Sequence, residues 1–131
     1  MKIKDIKFKA KRLDGKGWVC GYFYEENGNT YIIENRQKES KLNRNPTYQV
    51  DPSTVCQFTG LKDSEGKEIW EGDILRDVYF GHFKHFVIFA NGTFLAQKEG
   101  QYIGIPLNKC VDNFGNVTCA KVVGNKFDKK K

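Results

Sequence analysis

The sequence predicts a small, mostly-β protein with little helix, and three observations carry that expectation. Glycine and aromatic residues are abundant, with 13 Gly, 10 Phe, 6 Tyr and 2 Trp in 131 residues, a mixture that suits short strands joined by tight turns. Apolar and polar residues alternate at period two in several segments, as half-buried strands require. Two Asn-Gly pairs, Asn27-Gly28 and Asn91-Gly92, separate such segments, and Asn-Gly is the preferred pair for a two-residue type I′ hairpin turn. No amphipathic pattern runs beyond about three helical turns, so helix should fall below the ~30% norm.

The elements follow in order. Ile6, Phe8 and Ala10 alternate with Lys7, Lys9 and Lys11, which predicts a strand with one buried face and one lysine-rich wet face. Those lysines also discourage edge-to-edge pairing. Asp14-Gly15-Lys16-Gly17 reads as a turn, Trp18 to Tyr24 as a second strand, and Thr30 to Glu34 as its return after Asn27-Gly28. Residues 35–47 are polar with almost no apolar side chain, which predicts a loop or binding arm. The arm divides an N-terminal hairpin region, 1–47, from a C-terminal region, 48–131. Tyr48 to Phe58 reads as extended, with Asp51-Pro52-Ser53-Thr54 as a turn or the cap of one helical turn. Lys62 to Lys67 is a turn, Glu68 to Trp70 a short extended piece, and Glu71-Gly72-Asp73 a further turn. Ile74 to Phe80 is the next strand, broken at Gly81-His82. Phe83 to Ala90 and Thr93 to Gln97 flank the second Asn-Gly pair. Tyr102 to Leu107 and Val117 to Val123 complete the strands.

A net charge of +6 is unevenly placed. Residues 1–50 carry 11 basic and 6 acidic side chains, residues 51–120 carry 6 and 9, and residues 121–131 carry 5 and 1. The ends are therefore basic and the middle mildly acidic. One reading is a nucleic-acid surface built from the termini; the other is a solvated lysine-rich strand and a frayed basic tail. No apolar run reaches membrane-spanning length. The basic start, Met1-Lys2-Ile3-Lys4-Asp5, is followed by no apolar core of a secretory signal, which predicts a cytoplasmic protein with no membrane role.

Few patterns carry chemistry. Cys20, Cys56, Cys110 and Cys119 form no C-x-x-C pair, so zinc-finger spacing is absent. Cys20 and Cys119 read as small apolar strand residues. His82 and His85 are the only histidines, and nothing in the spacing nominates a third ligand beside them. Asp63, Glu65, Glu68, Glu71, Asp73 and Asp77 cluster within 15 residues. Paired carboxylates can do acid–base work or hold magnesium, but here they fall around two glycine turns, where acidic residues are ordinary. No glycine-rich phosphate loop is present. No cofactor and no metal are expected. A metal-dependent nuclease using Asp63, Glu68 and Asp73 is the catalytic alternative, without catalytic spacing to support it.

The segment Val50-Asp51-Pro52-Ser53-Thr54-Val55-Cys56-Gln57-Phe58-Thr59-Gly60-Leu61-Lys62-Asp63, with its continuation Gly66-Lys67-Glu68-Ile69-Trp70-Glu71-Gly72-Asp73-Ile74, closely resembles the central motif of the YopX family. An opening strand like Ile6-Lys7-Phe8-Lys9-Ala10 and a closing Val122-Val123-Gly124-Asn125 resemble that family's two ends. Where the family usually carries an N-x-x-E-x-x run after the last Gly-Asn, this chain has Phe127-Asp128 and three lysines. The resemblance implies a protein of bacteriophages and prophages, mainly of Gram-positive hosts. It also implies an SH3-like β-barrel in the C-terminal region, 48–131, behind the small N-terminal antiparallel sheet. It implies no established activity.

Physically, Gly60, Gly66 and Gly72 would provide φ > 0 at corners of the motif. Leu61, Ile69, Trp70, Ile74 and Val78 would be core, and Asp73 structural. The alternative is a recognition surface of Gln57, Thr59, Lys62 and Asp63. The leading expectation is a non-catalytic module that binds itself, as a homo-oligomer, or a phage or host protein. The alternative is a nucleic-acid-binding module using Lys7, Lys9 and Lys11, the tail lysines, and Tyr22, Tyr24 and Tyr31 as stacking rings.

Overall fold

The computed structural model describes residues 5–34, 46–76, 84–100, 104–113, 115–118 and 120–128. The polar arm at 35–45, His82 and Cys119 lie outside them, as do Asp77 to Phe80 and Val78 among them. The chain divides into two compact units, Met1–Gln57 and Phe58–Lys131. Among the described residues the protein is mostly β, with antiparallel strand pairing and no α-helix.

Unit 1 holds β1 (Phe8–Lys11), β2 (Trp18–Glu26), β3 (Asn29–Glu34), β4 (Thr47–Val50), a 3-10 turn at Pro52–Thr54, and the start of β5 (Cys56–Lys62). Its strands run in the order β4-β3-β2-β1-β5. The period-two reading of β1 and β2 is realised by the register, in which Ala10 faces Val19 and Lys9 faces Cys20. Ala10, Val19, Ile32 and Val50 therefore share the buried face, with Phe8, Tyr48 and Val55 packed on them. The β2–β3 turn has Asn27 at φ 52° and Gly28 at φ 80°, the two left-handed residues that a type I′ turn needs.

The unit 1 boundary lies inside β5 rather than in the polar arm, because β4 and the first residues of β5 pair with β3 and β1. The 3-10 turn adds a tie. Asp51 caps it by accepting from the Ser53 amide at 3.0 Å. The buried Thr54 hydroxyl donates to the Asp51 carbonyl at 2.7 Å and accepts from the Lys11 amide at 2.8 Å. The free edge of β4 is also engaged, since Arg12 bridges Val50 and the Leu13 amide donates to the Gln49 carbonyl at 3.1 Å. The Arg12 guanidinium lies 3.9 Å from the centre of the Tyr48 ring and pairs with Asp14. Gly21 marks a close approach that the sequence did not announce. A Cβ there would lie 1.9 Å from the Ile33 carbonyl oxygen.

Unit 2 holds the rest of β5, then β6 (Glu68–Trp70), β7 (Asp73–Arg76), β8 (His85–Ala90), β9 (Thr93–Lys98), β10 (Gly104–Pro106), a 3-10 turn at Leu107–Cys110, and β11 (Lys121–Asn125). A five-stranded sheet runs β10-β9-β8-β7-β11. Its core gathers Ile69, Leu75, Val87, Ala96, Leu107, Val117, Ala120 and Val122, with Leu61, Phe94 and Val111 against it. The second Asn-Gly turn has Asn91 at φ 53° and Gly92 at φ 79°, joining β8 to β9 as expected. The expected strand from Val117 begins only at Lys121. Val117 is buried, but it forms an isolated bridge with Val111 before a turn at Thr118 intervenes.

Candidate functional site

The central motif lies mostly in unit 2, and three of its polar side chains, Thr59, Asp63 and Asp73, bond backbone groups. Thr59 sits beside a bulge in the β5–β6 pairing. Its hydroxyl donates to the Ile69 carbonyl at 2.7 Å and accepts from the Leu61 amide at 3.1 Å. Asp63 is only 1% exposed. One carboxylate oxygen, Oδ1, accepts from the amides of Glu65 at 2.9 Å and Lys67 at 2.8 Å. The other, Oδ2, accepts from the amide of Val122 in β11 at 2.9 Å. A carboxylate is well suited to this place, because it offers several lone pairs and can take three donors at once.

Asp73 repeats the arrangement ten residues on. It is 3% exposed, and Oδ2 accepts from the Trp70 amide at 2.8 Å while Oδ1 accepts from Asn125 Nδ2 at 2.9 Å. Asn125 in turn accepts the Phe127 amide at 2.9 Å. Between these groups Gly72, at φ 87°, donates its amide to the Val87 carbonyl at 2.7 Å and accepts the Lys126 amide at 2.9 Å. Gly60 and Gly66 also sit at positive φ, 84° and 82°, as expected for the corners. Asn125 was not singled out as a partner of Asp73, and no local signal could have paired residues so far apart.

The recognition set expected at Gln57, Thr59, Lys62 and Asp63 lies along β5 and at the first residue after it. Gln57 is half-buried in unit 1 opposite Phe8. In unit 2 Thr59 and Asp63 hold backbone, and Lys62 alone of these three is exposed. The Lys62 main chain pairs with Gly115 and Val117. Among the described residues no group of three His, Cys, Asp or Glu is placed to hold a metal ion. His85 is buried on β8. Cys20 is exposed and Cys56 buried, neither in a disulfide, and the Cys56 thiol donates to the Thr54 carbonyl at 3.2 Å.

The basic and aromatic residues of unit 1 come together differently. Pairing puts Lys9 opposite Cys20 and Lys11 opposite Trp18, and Tyr24 opposite Tyr31. Since residues two apart share a sheet face, Lys9, Lys11, Trp18, Tyr22, Tyr24 and Tyr31 all stand on the side away from the core. Lys9 Nζ lies 4.7 Å and Lys11 Nζ 5.4 Å from the Trp18 ring centre, within cation–π range. Tyr24 and Tyr31 stack at 5.1 Å with 20° between planes. Tyr22 and Tyr24 are 36% and 37% exposed. Lys7 is half-buried just before β1. Trp18 was not counted among the stacking rings, although its parity with Tyr22 and Tyr24 was the available signal.

Two charged groups are shifted. Lys121 is held above the ordinary lysine value, first by its hydrogen bond to Glu65 and then by that carboxylate's charge; the two are 2.8 Å apart and both exposed. At Asp14 partial desolvation opposes ionisation, but the Lys16 amide and Arg12 outweigh it and hold the carboxyl below its usual range. No helix among the described residues is long and apolar enough to cross a membrane.

A family model described as YopX protein matches residues 7–130, a span that includes both ends of the motif series. No curated protein matches the chain.

Proposed function

The chain belongs to the YopX family, and on that premise we propose that it is a phage-type accessory protein acting as a non-catalytic recognition module in the host cytoplasm. Its working surface is the outer face of β1, β2 and β3. Unit 2 serves as a framework of the SH3-like barrel kind, a reading supported by its antiparallel strands, the register shift between β7 and β11, and the Glu71-Gly72-Asp73 corner that opens β7. One observation carries the choice of surface. The motif's buried carboxylates are occupied by backbone donors, whereas aromatic and basic side chains are gathered on one partly exposed sheet face. Exposed aromatic groups of this kind are what recognition surfaces use.

A photocrosslinking amino acid placed at Tyr22, and separately at Lys62, tests this in cells that make the full chain. The reading expects covalent adducts from Tyr22 and few from Lys62. Adducts only from Lys62, or none from either, would overturn it.

Self-association is a second reading, favoured by Phe89 and Val123 of unit 2, each 51% exposed. It predicts a mass that grows with concentration in light scattering; a constant monomer mass removes it.

A further inference from the structure

Resting on the recognition reading above, we infer that the ligand of the β1–β3 outer face is single-stranded nucleic acid. The two halves of the argument are charge and ring geometry. Lys9 and Lys11 bring two ammonium groups to the Trp18 ring, at 4.7 and 5.4 Å. They sit at one end of a row of rings that continues along β2 through Tyr22 to Tyr24, where Tyr31 stacks at 5.1 Å. Six residues of strand separate Trp18 from Tyr24, about 20 Å. That length suits a footprint of roughly 4 or more unpaired nucleotides. Phosphates would meet the lysines, and bases would stack on tyrosine faces, which accept any base because every base has a π-face.

Charge complementarity selects this occupant over an apolar one. Residues 1–50 carry 11 basic against 6 acidic side chains. Among the described strand residues of this face, Glu26 is acidic and stands at the far end of β2 next to the hairpin turn. Duplex nucleic acid keeps its bases paired and stacked, so a row of rings offers it little. The face is therefore specific for unpaired strands rather than for polyanions in general.

The test is fluorescence anisotropy of a labelled oligothymidylate titrated with the full chain at low salt, about 50 mM, and again near 200 mM. Saturable binding is expected. Two phosphate contacts contribute a slope of about −1.4 to log K against log salt, an affinity loss of about sevenfold over this range. Lys9→Gln with Lys11→Gln should remove that contribution. Tyr24→Ala should weaken binding about tenfold at either salt, with an unchanged circular dichroism spectrum. A duplex of equal length should bind much more weakly. No anisotropy change at tens of micromolar protein overturns the inference, as does equal affinity for duplex with no effect of Tyr24→Ala. Should oligothymidylate fail while photocrosslinks from Tyr22 join two copies of the chain, the nucleic-acid inference falls and the recognition surface stands.

Discussion

In unit 2, Asp63 and Asp73 are buried and bonded to amides and to Asn125, while in unit 1 Lys9, Lys11, Tyr22 and Tyr24 stand on a sheet face that reaches solvent. Both sets are polar or amphipathic, and both lie near turns or strands of similar length. What separates them is the direction of their hydrogen-bonding capacity. The carboxylates face inward and satisfy backbone groups that would otherwise be buried without partners. The lysines and tyrosines stand on the opposite face of the sheet from the unit 1 core, and Tyr22 and Tyr24 are partly exposed there. A conspicuous polar motif can therefore serve the backbone rather than the surface.

The largest expected effect comes from breaking the inward set. Asp63→Ala leaves the buried Val122 amide and the part-buried Glu65 and Lys67 amides without their acceptor, and an orphaned buried donor costs about 1–3 kcal/mol. A loss of about 3 kcal/mol or more is expected in urea unfolding followed by Trp70 fluorescence, with Trp18→Phe as background. A loss under about 0.5 kcal/mol would place Asp63 outside the framework. Unit 1 has its own sensitive point. Gly21→Ala drives a methyl into the Ile33 carbonyl, and relief requires β2 and β3 to separate, at a cost of up to about 3 kcal/mol. Unfolding read from Trp18 fluorescence, with Trp70→Phe as background, measures it; an unchanged midpoint would mean that the register is different.

The outward set should behave in the opposite way. Tyr22→Ser with Tyr24→Ser removes no core contact, so stability should stay within about 0.5–1 kcal/mol. Partial exposure and the Tyr24–Tyr31 contact account for the upper limit. A loss several times larger in the same unfolding assay would move these rings from surface to framework. The smallest effect is electrostatic. Glu65→Gln should lower the Lys121 titration toward the ordinary lysine value, with the Asp63 charge still raising it, read by NMR of its side chain. Because the folded value is raised, the pair's contribution is complete below the ordinary lysine value and disappears as pH rises through the raised one. At neutral pH the variant should unfold at the same midpoint, since both groups are exposed and surface pairs contribute little.

Much of the fold was legible where its cause is local. Asn27-Gly28 and Asn91-Gly92 dictate hairpins through two adjacent residues, and alternation in β1 and β2 assigns faces through a fixed period. Gly60, Gly66 and Gly72 announced their positive φ because few other residues tolerate it. Contacts between distant residues were hidden. Asp63 reaches Val122 across 59 positions and Asp73 reaches Asn125 across 52, so a carboxylate at a glycine turn gave no sign of which amide it would bond. Asp73 was expected to be structural, but its donor, the Trp70 amide just before the turn, could not be named in advance. Gly21 read as an ordinary strand residue because the crowding depends on how β3 lies against it. The Trp18 ring was within reach of the same parity argument that placed Tyr22 and Tyr24.

Native-state hydrogen exchange of three amides in Asp63→Asn tests most directly whether the motif's buried carboxylate is a structural clamp. Asparagine keeps one carbonyl oxygen and replaces the other with a donor, so it cannot serve both sides. The carbonyl should stay with the Glu65 and Lys67 amides, where two bonds hold it, and the amide group should face Val122. The account predicts that Val122 loses protection while Glu65 and Lys67 keep theirs. Unchanged protection at Val122 would contradict it.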